Sequence, residues 1–291
     1  MCFFLLRAPS PGGAACIAGI TIQRQGRLDP TQSQDFLRSP ACGATLGGTA
    51  QQREPLMHKV HIAPEYVERV VRRGGAEHSV TALDGPRTAL VVVDMQNYFM
   101  GEGQPSECPV ARDIVPNVNS LAAATRRAGG LVVWIQTRSG PESLTFWSAY
   151  YDRMTPEGAD RRVKGMAPDG DGYPLWPDLE VRDEDEIVIK TRYSALVPGS
   201  SNLNEVLQAR GIDTVLITGV STCTCCESTA RDAMMMNYRT LMVSDGCAAP
   251  DDYLHNATLT NFYLQFGDVQ TTGELIALLE AGTARGAAAA E

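Results

Sequence analysis

From residue 88 onward, short apolar runs alternate with segments of helical periodicity, and this alternation limits the fold more than any other feature of the sequence. The apolar runs lie at 88–94, 131–136, 186–190, 214–218, 239–244 and 268–270. The helical segments lie at 113–128, 201–210, 224–237 and 251–264, with a terminal helix from about 271. Strands that alternate with helices pair in parallel through right-handed crossovers. The sequence therefore predicts an α/β fold with a six-stranded parallel sheet.

The same pattern divides the chain into four parts. We expect a doubly wound, Rossmann-like main domain at 87–283, with helices on both faces of the sheet. Residues 57–86 are predicted to form an N-terminal arm, and the Ala-rich segment 284–291 a frayed tail. Residues 1–56 contain no Lys and have no sustained periodicity, so we expect a disordered leader or a start assigned too early. The irregular stretch 138–180, rich in aromatic residues, is typical of a lid or substrate loop.

Charge and cysteine usage exclude several classes of partner. A net charge of −9 argues against binding to a phosphate backbone, which requires clustered Lys and Arg. The eight cysteines are not spaced as in a small secreted disulfide protein, and no apolar run approaches the length of a membrane helix. We therefore predict a cytoplasmic protein with reduced thiols that binds neither nucleic acid nor membrane.

The segment 219–233 carries a candidate nucleophile, Cys225, between a predicted strand and the first turn of a helix. A helix N-terminus favours a thiolate, and its free backbone N–H groups can hold an oxyanion. Two alternatives remain open at this point. Cys225 could be a small buried hydrophobe. The cluster of Cys223, Cys225 and Cys226 could bind zinc, although no second pair of ligands is present.

Two charged residues follow buried strands at the same predicted sheet edge. Asp94 ends the first strand and Lys190 ends the third. An Asp can accept a thiol proton, while a Lys can stabilise a thiolate. Alternatively, Asp94 caps a loop and Lys190 is solvated. We expect His255 on a helix surface rather than in a Cys–His pair, and no dinucleotide or phosphate fingerprint is present, so no cofactor is predicted.

Three ordered motifs resemble the isochorismatase-like cysteine hydrolase superfamily over about residues 85–280. They are Val93-Asp-Met-Gln-Asn97, Lys190-Thr-Arg-Tyr-Ser-Ala195 and Gly219-Val-Ser-Thr-Cys-Thr-Cys225-Cys-Glu-Ser-Thr229. The resemblance implies a catalytic triad of Asp94, Lys190 and Cys225. It also implies a cis peptide at Val220–Ser221 that directs backbone N–H groups, with that of Cys225, at an oxyanion. The family commonly has Thr-Asn-Val-Cys where this chain has Thr-Cys-Thr-Cys, so Cys223 remains an alternative nucleophile.

The stretch after the second strand lacks the His ligands of nicotinamidases, and the nucleophilic Cys that true isochorismatases lack is present. The chain thus resembles the N-carbamoylsarcosine, ureidoacrylate and biuret amidohydrolases. This implies hydrolysis of a C–N bond in a small amide, ureido or carbamoyl compound, without metal or other cofactor, by a homodimer or homotetramer. The alternatives are C–O hydrolysis of the isochorismatase type and a non-catalytic protein that binds a ligand or partner. The candidate substrate-binding residues are Gln96, Asn97, Tyr98, Trp147, Arg192 and Tyr193.

Overall fold

The computed structural model describes residues 57–290, and the side chains as far as residue 285. The leader expected at 1–56 lies outside the described residues. Within 57–290, six strands form one sheet in the order β3-β2-β1-β4-β5-β6, and every neighbouring pair is parallel. The predicted α/β fold with a six-stranded parallel sheet is therefore confirmed. The strands are β1 Thr88–Val93, β2 Leu131–Thr137, β3 Glu186–Lys190, β4 Thr214–Val220, β5 Arg239–Ala248 and β6 Asp268–Gln270.

The helices lie in the connections between these strands and in the arm that precedes them. Residues 57–86 contain one helix, and the stretch 138–180 contains three rather than only irregular structure. The last helix extends to Ala290, into the segment for which a frayed tail was expected. The helices are α1 Pro64–Gly74, α2 Asn97–Met100, α3 Val110–Asp113, α4 Val115–Arg127, α5 Ser143–Phe146, α6 Ser148–Tyr151, α7 Pro156–Gly165, α8 Leu203–Ala209, α9 Glu227–Met235, α10 Asp252–Gln265 and α11 Thr272–Ala290.

Both faces of the sheet are buried, because successive side chains of a strand point to opposite sides. In β1, Val91 and Val93 pack into one hydrophobic core, and Leu90 and Val92 into the other. The first core is covered by α8, α9 and α10, and the second by α4 and α11. This arrangement is the predicted doubly wound one. None of the helices between residues 57 and 290 combines the length and apolarity needed to cross a bilayer.

The N-terminal arm, residues 57–86, packs against α10 and β6, which lie almost 200 residues later in the sequence. His58 Nδ1 lies 2.7 Å from Asp252 Oδ1 at the start of α10. The buried carboxylate of Asp268 in β6 accepts a hydrogen bond from the backbone N–H of Val80, at 3.0 Å. Val70 of α1 contributes to the core on the α10 side of the sheet. The arm is thus part of the same packed body.

The strand order reverses between β1 and β4. In parallel α/β sheets, ligands bind at the carboxyl ends of the strands where the order reverses. The ends of β1, β2, β3 and β4 lie in register at this edge, since Thr137 pairs with Lys190 and Val93 with Gly219. Polar residues that end these four strands are therefore brought to one place.

Candidate active site

Asp94, Lys190 and Cys225 converge at the carboxyl ends of the central strands, and all three are buried. Asp94 follows β1 directly, and Lys190 is the last residue of β3. Cys225 lies in a single π-helical turn, Thr222–Cys226, between β4 and α9. The three residues that the sequence analysis singled out thus belong to one cluster.

A buried ion pair forms the base of this cluster. Lys190 Nζ lies 2.7 Å from Asp94 Oδ2. Thr137 connects the two residues, because its hydroxyl donates to Asp94 Oδ1 at 2.9 Å while its oxygen accepts a hydrogen bond from Lys190 Nζ. The ammonium group also donates to the backbone oxygen of Arg192, at 2.9 Å. Apart from this ion pair with Lys190, Asp94 Oδ2 has no hydrogen-bond partner within the described residues.

The backbone at this edge is shaped by two residues with positive φ. Asp94 has φ of 52°, a left-handed conformation in which Asp is one of the more tolerant side chains. Gly219 of β4 has φ of 110°, and a Cβ atom there would lie 2.1 Å from the carbonyl oxygen of Val93. A glycine is therefore required for β1 and β4 to approach each other beneath the site.

Burial raises the pKa of the Cys225 thiol to about 12. The positive charges of Lys190 and Arg162 lower this pKa, and the carboxylate of Asp94 raises it, but burial is the largest effect. The expectation that the helix N-terminus would favour a thiolate is thus wrong for the unliganded site, because desolvation outweighs the nearby positive charges. The raised pKa keeps the thiol protonated near neutral pH, and the carboxylate of Asp94 belongs to the same buried cluster.

A cavity of about 410 Å³ opens onto Cys225. Val220 and Ser221 line it beside the thiol, and the peptide bond between them is cis, as the resemblance implied. Phe99, Tyr150 and Tyr193 give it apolar walls. A larger depression of about 730 Å³ lies beside α4, but no member of the Cys225 cluster borders it. Across residues 57–290, no three His, Cys, Asp or Glu side chains lie close enough to share a metal ion.

Of the six residues predicted to bind substrate, Tyr193 lines this cavity, and the other five are not among its lining residues. The ring of Trp147 packs edge-on against the ring of Tyr193, with centroids 4.9 Å apart. Arg192 donates to the backbone oxygen of Phe146 at 2.9 Å. Both residues therefore hold the 138–180 stretch against the segment after β3.

The three candidates that follow β1 also have structural partners. Gln96 is buried and exchanges hydrogen bonds with the backbone of Thr137, at 2.7 and 3.1 Å. Asn97 donates to the backbone oxygen of Asp171 at 3.2 Å. Tyr98 packs beneath Arg162, whose guanidinium lies 5.5 Å from the ring centroid. These side chains fix the path of the 138–180 stretch over the sheet edge.

Arg162, which the sequence analysis did not single out, lines the cavity from α7. Its side chain is only 5% exposed, and its Nε has no hydrogen-bond partner in the described part of the chain. The residue before it, Arg161, is exposed, so the sequence alone could not indicate which arginine points inward. The start of α7 does follow from the sequence. The side chain of the N-cap residue Thr155 accepts a hydrogen bond from the backbone N–H of Gly158, and Pro156 occupies the first helical position.

His255 is buried, so the expectation of a histidine on a helix surface is wrong. Its Nε2 lies 3.1 Å from the backbone oxygen of Ser244 and its Nδ1 2.9 Å from Thr222 Oγ1. The ring also stacks on His58 of the arm, with centroids 4.2 Å apart. Burial, and to a smaller extent the neighbouring His58, lower the pKa of His255 to about 4. The neutral imidazole therefore supports the first residue of the turn that holds Cys225.

Comparison with known proteins places this geometry in a family. The family model for the isochorismatase domain matches residues 88–274. The chain is 31% identical to ureidoacrylate amidohydrolase RutB of Variovorax paradoxus over 221 residues. The aligned region covers 70% of this chain and 85% of the relative. The chain is also 33% identical over 177 residues to an Arabidopsis thaliana protein named "probable inactive nicotinamidase", covering 59% of this chain and 86% of the relative.

A solved structure has the same architecture. The crystal structure of a cysteine hydrolase from Pseudomonas syringae pv. phaseolicola superposes with a TM-score of 0.63 at 27% identity, and the match covers 70% of this chain and 97% of the other. The matched family domain spans more than half of the chain and all six strands. The protein therefore belongs to the isochorismatase family of hydrolases.

Proposed function

We propose that the protein hydrolyses a C–N bond in a small amide, ureido or carbamoyl compound, with Cys225 as nucleophile. The observation that carries the proposal is the buried cluster that brings Cys225 together with the carboxylate of Asp94, which is itself paired with Lys190 at 2.7 Å. A protonated thiol beside a buried carboxylate is a nucleophile with its base in place. The relative named as an amidohydrolase, RutB, supports cleavage of a C–N bond.

In the first half of the reaction, Asp94 accepts the proton of Cys225 as the sulfur attacks the substrate carbon. The positive charge of Lys190 stabilises the negative charge first on Asp94 and then, after proton transfer, on the attacking sulfur. Backbone N–H groups of Cys225 and of the Val220–Ser221 turn receive the oxyanion. Asp94 then returns the proton to the nitrogen, which leaves as ammonia or an amine, and the acyl or carbamoyl group remains on the sulfur.

In the second half, a water molecule attacks the thioester-type intermediate. Asp94 accepts a proton from this water, and the proton passes to the sulfur as the thiol is released. The same carboxylate thus serves as base and then as acid in both half-reactions. The burial of the cluster keeps bulk water away from the intermediate until the amine has left.

The test is ammonia release by the full-length chain from N-carbamoyl amino acids, ureido acids, biuret, maleamate and nicotinamide. We expect release from one of these classes, and its loss by more than about 10³-fold in Cys225→Ala. Cys223→Ala is the matched control, because Cys223 also lines the cavity and is the alternative nucleophile. Activity that survives in Cys225→Ala and disappears in Cys223→Ala would reverse the assignment of the two cysteines.

A non-catalytic binding protein is the second candidate, and the name of the Arabidopsis relative favours it. The two candidates predict different behaviour of the thiol. A catalytic Cys225 reacts with substrate to give an acyl-enzyme that mass spectrometry detects after acid quenching. No adduct and no turnover with any compound, from a folded protein, would favour the binding protein. Turnover that continues without either cysteine would favour hydrolysis of a C–O bond instead.

A further inference from the structure

Arg162 brings a positive charge into the cavity without a counterion. Its side chain is 5% exposed, and between residues 57 and 290 no carboxylate pairs with it and no group accepts a hydrogen bond from it. The rings of Tyr98 and Tyr150 lie 5.5 and 5.1 Å from its guanidinium carbon. Such cation–π contacts offset part of the cost of desolvation, but they leave the hydrogen-bonding positions of the guanidinium empty.

The other charges around the cavity are already compensated. Asp94 and Lys190 neutralise each other beneath Cys225. Glu107 borders the cavity, but its carboxylate is paired with Arg112 at 2.9 Å and accepts a hydrogen bond from the backbone of Gly103 at 2.8 Å. Arg162 is therefore the charged lining residue that lacks a partner in the described part of the chain. A buried charge without a partner is unfavourable unless a ligand provides one.

We propose that Arg162 binds a carboxylate of the substrate, so that the compound hydrolysed at Cys225 is an anionic amide. This inference rests on the proposed function of Cys225. A guanidinium presents paired N–H donors that match the two oxygens of a carboxylate. Its positive charge also attracts the negative charge of that carboxylate. A neutral amide of the same shape is rejected, because it leaves Arg162 buried and unpaired. A carboxylate also meets less repulsion from Glu107 than a doubly charged phosphate would.

The experiment compares two alkylating agents that differ only in this group. Iodoacetate and iodoacetamide both lose iodide to the sulfur, but only iodoacetate carries a carboxylate. The alkylation rate of Cys225 is measured by peptide mass spectrometry in a Cys223→Ala background, for Arg162, Arg162→Lys and Arg162→Gln. We expect the ratio of the iodoacetate rate to the iodoacetamide rate to fall about tenfold or more in Arg162→Gln. Arg162→Lys, which keeps the charge but not the paired donors, should lie between.

Equal slowing of both reagents in Arg162→Gln would overturn the proposal, because it would mean that Arg162 only stabilises the thiolate. A purely structural role predicts a lower melting temperature for Arg162→Gln. We expect the melting temperature to be unchanged or higher, since the substitution removes an unpaired buried charge. A lower melting temperature together with an unchanged rate ratio would also overturn the proposal.

A second measurement keeps the test independent of thiol reactivity. Calorimetric titration of Cys225→Ala with N-carbamoylglycine and with N-carbamoylglycinamide compares an anion with its neutral analogue. The acid should bind at least about tenfold more tightly, and this preference should disappear with Arg162→Gln. If Cys225 reacts with neither reagent but the acid still binds through Arg162, the proposed hydrolase is wrong and the carboxylate site stands. If Cys225 reacts without preference and the acid binds no better than the amide, the carboxylate site is wrong and the hydrolase stands.

Discussion

Thr137 shows how one hydroxyl can set the position of two charges. Its oxygen accepts a hydrogen bond from Lys190 and its proton is donated to Asp94 Oδ1, so that Asp94 Oδ2 faces Lys190 at 2.7 Å. A hydrogen bond to a buried charged group contributes about 1.5–3 kcal/mol. In the proposed mechanism, Thr137 is therefore a positioning residue that holds Asp94 and Lys190 in place.

We predict that Thr137→Val lowers the alkylation rate of Cys225 and the kcat for any amide substrate by about tenfold to a hundredfold, in proportion to one lost hydrogen bond to a charge. Thr137→Ser keeps the hydroxyl and should retain most of the rate. The measurement is the alkylation rate at fixed pH for the three proteins. Equal rates in Thr137→Val and the parent would show that Asp94 and Lys190 hold their positions without the bridge.

The residue scale also shows what the sequence could and could not predict. Asp94 and Lys190 were predictable because each follows an apolar run directly, where a buried charge has to be used or paired. Thr137 was not, because only the register that pairs it with Lys190 makes it part of the cluster. His255 was misplaced because its helix has no clear apolar stripe, and the contact that buries it comes from His58 of the arm.

At the scale of elements, the site depends on how closely β1 and β4 approach. Gly219 has φ of 110°, and its missing side chain leaves space for the carbonyl group of Val93. Backbone atoms cannot move aside as a flexible side chain can, so a methyl group there forces the strands apart. The position of Asp94, one residue after Val93, moves with them.

Gly219→Ala should therefore reduce the free energy of unfolding by about 3 kcal/mol or more, from a strained φ together with a clash. Gly211→Ala is the matched control, because Gly211 also has a positive φ, of 65°, but has no atom within 4 Å of the added carbon. Its cost should be about 1 kcal/mol. Urea denaturation of the three proteins measures the difference, and similar losses for both variants would contradict the role of the close approach.

His255 links α10 to the turn that holds Cys225, and its protonation is coupled to folding. Its pKa is about 4 in the folded protein, below the ordinary value of 6.5, so the unfolded chain binds more protons between these values. The stability that His255 provides is therefore present above pH 6.5 and is lost as the pH falls toward 4. The loss should reach about 3 kcal/mol at most.

The check is the free energy of unfolding between pH 7 and pH 4 for the parent and for His255→Gln. The difference between the two curves isolates His255 from the carboxylates that titrate in the same range. We expect the parent to lose more stability than the variant as the pH falls. Parallel curves would mean that the imidazole is protonated equally in both states.

At the scale of the whole molecule, the arm closes the fold by joining residues far apart in sequence. Asp268, fully buried in β6, accepts from the backbone of Val80 and from His78 on the arm, at 3.0 and 2.9 Å, and from Val269 and Gln270 in its own strand. The boundary expected at residue 87 came from the start of the strand pattern, which could not indicate these contacts. The sequence thus predicted the sheet, whereas the contacts that attach the arm to β6 and α10 were not predictable from it.

Asp268→Ala should lower the free energy of unfolding by about 2–4 kcal/mol, because several buried donors lose one charged acceptor together. Asp252→Ala, which removes an exposed carboxylate that meets His58 on the same arm, should cost clearly less. Denaturant unfolding measures both. Equal losses would indicate that the arm is held mainly by its apolar contacts.

The three helices inserted between β2 and β3 provide Tyr150 and Arg162, whereas the strand ends provide Asp94 and Lys190. In the proposed enzyme, the acid–base pair therefore comes from the strand ends, and part of the cavity wall comes from the inserted helices. A replacement of 138–180 by the equivalent stretch of another member could transfer the substrate preference while the reaction stays the same. Similarity to relatives within 138–180, rather than over the whole domain, is therefore the comparison that bears on the substrate.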